Sequence, residues 1–121
     1  MPETIPVLYH GTTPEAADVL LQRGWHPRSG TRGANQGQPR FLYLTTIFED
    51  ALWFAEQKGS ETVIEVVDVP TAKLMVDPED GTSDSLETEL ALPFGLPGKL
   101  VLTGPLSASH FRLSLGPAPA P

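Results

Sequence analysis

Thr62-Val63-Ile64-Glu65-Val66-Val67-Asp68-Val69 is dominated by β-branched residues. Such side chains are stiff at χ1, suit a pleated strand and crowd a helix. Valine or isoleucine falls on both alternating faces, so the segment predicts a central strand of a sheet covered on both sides, with Glu65 and Asp68 as its only interruptions. Toward the C-terminus, Lys73-Leu74-Met75-Val76-Asp77 predicts a short strand that stops where Pro78 removes a donor. The chain to Gly98 is acidic and then rich in glycine and proline, with one helical turn near Leu86 to Leu90. Lys99 to Thr103 and His110 to Leu115 read as closing strands around a Gly104-Pro105 turn.

Toward the N-terminus, Phe41-Leu42-Tyr43-Leu44 predicts a strand, and Thr46-Ile47-Phe48-Glu49 fits a capping box opening a helix. Phe48, Ala51, Leu52 and Ala55 recur at helical spacing, and Gly59 ends the run. Trp25 to Pro39 is a glycine-rich loop. Ile5 to Tyr9 reads as a strand that delivers His10 at its end, and Thr13-Pro14 caps and starts a helix from Pro14 to Arg23. Helices and strands mix without the regular alternation of a parallel sheet, so the class is α+β, with about six strands and two helices.

The 121 residues suit one domain, expected over 1–115, with 116–121 a disordered proline-alanine tail. No apolar run is long enough to span a bilayer, and Met1 to Leu8 lacks a basic stretch followed by an apolar one. A soluble, cytoplasmic protein is expected. Without cysteine, disulfides, thiolate metal sites and a cysteine nucleophile are excluded, and His10, His26 and His110 lack metal-ligand spacing, so no metal is expected. A net charge of −7 disfavours a nucleic-acid partner. Yet Arg28, Arg32 and Arg40, three of the eight basic residues, gather around the glycine-rich loop, as a diphosphate-binding loop would require.

The order of these features carries more than any one of them. A strand closing in His10-Gly11-Thr12, a helix, a glycine-rich loop, a strand with Tyr43-Leu44-Thr45 and a tryptophan-bearing Ala51-to-Ala55 helix resemble the H-Y-[E/D] ADP-ribosyltransferases. With Asp77-Pro78 ending the next strand, the chain is most similar to the small rifamycin-modifying branch, over roughly Leu8 to Pro78. The resemblance implies a split β core of two small packed sheets and NAD as co-substrate. By likeness, His10 would bond the adenosine ribose, Gly11 would grip the nicotinamide carboxamide through its backbone, and Tyr43 would stack. Asp77 would be the acidic third member, with Glu87 and Glu89 as alternatives. Thr12, Arg28, Arg32 and Gly33 join the expected cofactor-binding set, together with Trp53, which with Phe54 either walls the cleft or packs in the core. The implied activity is mono-ADP-ribosyl transfer to an unidentified small-molecule or protein acceptor. The rival readings are a toxin or defence domain that consumes NAD and an inactive module that binds NAD or ADP-ribose.

The chemistry fits those residue types. Breaking the bond between nicotinamide and ribose builds positive charge on the sugar, which one carboxylate can stabilise. The leaving group is already cationic, so no general acid is required. A tyrosine face can orient the ring, and a glycine lets backbone groups approach a planar amide.

Overall fold

The computed structural model describes residues 1–27 and 41–116 of the chain. The expected loop positions Arg28, Arg32, Gly33 and Arg40, and the tail from 117, lie outside the described residues. The described residues form six strands: β1 (Thr4–Thr12), β2 (Leu42–Thr45), β3 (Thr62–Pro70), β4 (Leu74–Val76), β5 (Lys99–Leu102) and β6 (Phe111–Leu113). They form one antiparallel sheet in the order β4-β5-β2-β1-β3-β6. The helices are α1 (Pro14–Arg23), α2 (Phe48–Gln57) and α3 (Leu86–Leu90).

The α+β class holds, but two expectations are corrected: among the described residues there is one sheet rather than two, and three helices rather than two. The single sheet follows from β1, which is paired on both sides. It is in register with β3 from Thr4↔Pro70 to Thr12↔Thr62, and with β2 at Tyr9↔Thr45 alone. One residue pair thus joins the two halves of the sheet, β4-β5-β2 and β1-β3-β6.

The strand at Thr62 lies inside the sheet, as its composition predicts. Ile64 and Val66 pack with Leu8, Leu44, Leu100 and Leu102 on one face, whereas Val63 packs with Tyr9 and Ala51 on the other. The first face is closed by Ala17 and Leu20 of α1 and by Leu86 and Leu90 of α3, the second by α2. Burying a leucine or isoleucine contributes about 1.5–3 kcal/mol, so the leucine-rich first face supplies most of the apolar stabilisation. Among the described residues no helix is long and apolar enough to cross a membrane.

Local signals explain α1 in full. Thr13 Oγ1 accepts from the Ala16 amide at 3.3 Å, Pro14 occupies the first turn, and Gly24, at φ 71°, closes the helix by donating to Leu20 O. The start of α2 departs from expectation. Ile47 is its N-cap and has no side-chain cap, because the Thr46 hydroxyl accepts from the Gly98 amide at 2.9 Å instead. A tertiary partner displaces the local capping box. The closing strands are also corrected: β5 and β6 do not pair as a hairpin but lie on opposite sides of the sheet. The connection between them crosses the molecule, anchored where Leu106 bridges to Trp25.

Candidate active site

The weak joint between the half-sheets makes the cleft. Continuing the antiparallel register from Tyr9↔Thr45 by two residues would pair Gly11 with Tyr43, but the ladder between β1 and β2 holds only at Tyr9. On its other side Gly11 lies opposite Val63, whose carbonyl is taken by Ser114 of the far neighbour at 2.9 Å. The Gly11 peptide edge therefore turns away from β3 and toward the gap. Side chains take the carbonyls that a continued ladder would have used: His10 Nδ1 meets Tyr43 O at 2.8 Å, and Lys58 Nζ donates to Gly11 O at 3.1 Å. Around this gap lies a cleft of about 300 Å³, at the lower end of the range for small-molecule sites.

His10, Tyr43 and Asp77 all line that cleft, brought there from β1, β2 and the end of β4. Burial holds His10 down to about pKa 4; the Tyr43 carbonyl pulls upward and the Lys58 charge adds to the lowering. The ring is thus neutral near pH 7. Because Tyr43 O can only accept, the proton sits on Nδ1 and Nε2 is left with a free lone pair. Burial also lowers the pKa of Lys58, whose ammonium has a neutral carbonyl as its hydrogen-bond partner.

Tyr43 alternates with buried Leu42 and Leu44 and is 38% exposed. Its ring meets Phe41 edge-on at 6.4 Å. Burial raises its hydroxyl pKa, and the charges of Glu79, Asp77 and Asp80 raise it further. All three carboxylates border the cleft. Asp77 is only 6% exposed. Its Oδ1 accepts from the amides of Glu79 (2.8 Å) and Asp80 (3.2 Å), while its own amide donates to Lys99 O. It is both a turn residue, as aspartate before proline often is, and a wall of the cleft.

Gly11 lines the cleft for a reason different from the expected one. A Cβ there would collide with the backbone of α2 at Ala51, so the missing side chain serves the packing of helix on strand as well as any ligand. Other expected residues stand elsewhere. Thr12 is 3% exposed and is not on the cleft wall. Trp53 turns to solvent at 53% exposure and meets Phe54 edge-on, and it is Phe54 that borders the cleft. Glu87 is exposed and Glu89 fully buried, both off the cleft.

The sequence reading missed Lys58 and Lys99. Lys58 follows a helix end, where a lysine reads as an ordinary response to the helix dipole. Lys99 opens β5, where nothing marks it. Its ammonium pairs with Asp50 at 2.9 Å and lies 4.6 Å from the Phe54 ring centroid, closing the cleft wall between β5 and α2. Among the described residues no group of three histidines or carboxylates is placed to hold a metal. Compared with known proteins, the sequence matches no family model and no curated protein.

Proposed function

We propose that this chain is an NAD-dependent mono-ADP-ribosyltransferase, in which His10, Tyr43 and Asp77 act on one dinucleotide. The observation that carries the reading is their convergence, from three separate strand ends, on one cleft. The donor set fits NAD. An aromatic face bordered by Asp77, Glu79 and Asp80 suits a flat pyridinium cation. The Gly11 peptide edge suits a carboxamide, the free Nε2 of His10 accepts from a ribose hydroxyl, and Lys58 offers positive charge to a phosphate. The Gly11 carbonyl becomes available as Lys58 turns to that phosphate.

In this reading Asp77 stands beside the nicotinamide ribose and stabilises the positive charge that develops as the glycosidic bond lengthens. The bonding pair goes to the ring nitrogen, so nicotinamide leaves neutral and needs no acid. A lone pair of the acceptor then closes onto the sugar carbon, and its proton passes to solvent. Removing such a carboxylate costs on the order of 3 kcal/mol of barrier.

Incubation with NAD and candidate acceptors, followed by chromatography for nicotinamide, tests the proposal. Nicotinamide release is expected. No release, together with no change in melting temperature on adding NAD, counts against it. A second reading, a module that binds ADP-ribose without turnover, is favoured by the two backbone donors already held by Asp77 Oδ1. Binding of ADP-ribose by calorimetry with no nicotinamide release, and no response to Asp77→Ala, would select it.

A further inference from the structure

The buried carboxylate of Glu89 does not itself line the cleft, yet it is tied to both ends of the segment that carries the acid. Its Oε1 accepts from the amides of Ser83 (2.9 Å) and Thr82 (3.1 Å) and from the Thr82 hydroxyl (3.3 Å). Its Oε2 accepts from the Lys99 amide at 2.8 Å, and the carbonyl of the same Lys99 accepts from the Asp77 amide at 2.9 Å. One carboxylate therefore holds Ser83 directly and Asp77 through a single residue. Between these anchors, Asp77 caps the amides of Glu79 and Asp80.

We propose that Glu89 is a positioning residue for the cleft: by fixing Lys99 and Thr82-Ser83 it sets where the Asp77 carboxylate stands. This rests on the reading of Asp77 as the acid of the site. Four donors converge on Glu89, and a side chain with 0% exposure cannot turn to water for replacements. Burial alone would raise its pKa, but the bonds from Lys99, Ser83 and Thr82 outweigh burial and hold it below the ordinary carboxylate value. A glutamine would aim its amino group at one of these donors. The segment would then be free to shift, and displacing a reacting group by about 1 Å costs on the order of a hundredfold in rate.

The test uses the full chain with Glu89→Gln, followed by amide hydrogen exchange and by nicotinamide release from NAD. Exchange at Glu79 and Asp80 should accelerate at least about tenfold while the β1–β3 amides keep their protection. The kcat should fall at least about tenfold with KM for NAD within about twofold, and since a smaller folded fraction would lower apparent kcat in the same way, it is the retained β1–β3 protection that assigns the loss to the shifted segment. Unchanged exchange at Glu79 and Asp80, or unchanged kcat where the wild type turns over, overturns the proposal. If the wild type releases no nicotinamide, it is the functional reading that fails, and the exchange data alone decide the role of Glu89. If Glu89→Gln does not fold, Glu89→Asp keeps the charge but is too short to reach both anchors, and the same readouts apply.

Discussion

His10 shows how a single residue can be legible in its place and illegible in its state. The sequence puts it at a strand end before Gly11, but its neutral ring depends on burial and on Lys58, a residue 48 positions further along the chain. An NMR titration of the His10 ring should have its midpoint near pH 4, and Lys58→Met should move it upward, since the lysine charge lowers it. A midpoint near the ordinary 6.5 contradicts the desolvation of the half-buried ring. Stability follows with a definite sign. Between about pH 6.5 and 4 the unfolded chain binds a proton at His10 that the folded chain does not. Stability therefore falls as the pH falls through that window, and urea midpoints should show a slope that His10→Gln removes. Asp77 allows charge and geometry to be separated. Asparagine can still cap the Glu79 and Asp80 amides, so Asp77→Asn should keep the melting temperature while turnover drops on the order of a hundredfold. Asp77→Ala should lose both, and equal activity in Asp77→Asn and wild type would remove the carboxylate from the mechanism. Thr12 and Trp53, by contrast, join the expected site through likeness alone, whereas Thr12 is buried off the cleft and Trp53 turns to solvent.

Elements governed by local rules were legible and those governed by distant partners were not. Thr13, Pro14 and Gly24 bound α1 through contacts within a few residues, so the Pro14 to Arg23 span could be read directly. The helix turn at Leu86 to Leu90 likewise has its own cap, Ser85 Oγ accepting from the Thr88 amide. The Thr46 capping box failed because Gly98, far along the chain, claims the hydroxyl. The Gly104-Pro105 hairpin failed because each closing strand finds a different partner, β5 between β2 and β4 and β6 beside β3. Periodicity gives strands but not their neighbours. Neither the split between β1 and β2 nor the close approach of α2 to Gly11 could be read from the sequence, since both are set by residues far apart in the chain. Gly11→Ala should therefore act as a packing defect, forcing α2 off β1 and lowering stability by about 2 kcal/mol or more in urea melts with an unchanged m-value. Stability within a few tenths of a kcal/mol of wild type would show that the helix yields freely.

At the scale of the whole molecule, a chain of net charge −7 holds a cleft lined by the carboxylates of Asp77, Glu79 and Asp80 together with Lys58 and Lys99. That mix of charges suits a ligand with a cationic ring and an anionic linker, whereas a polyanion would meet the repulsion of the whole surface. The two half-sheets, joined at Tyr9↔Thr45, bring the ends of β1, β2 and β4 to the same gap, so no single element owns the site. The central claim is that an imidazole, a phenol ring and one acid meet the same dinucleotide there. A crystal structure of the chain with NAD bound tests it most directly. The account predicts the nicotinamide ring against Tyr43, its ribose beside the Asp77 carboxylate and a ribose hydroxyl on His10 Nε2. NAD seated away from this gap, or seated in it with Asp77 turned from the ribose, would contradict the account.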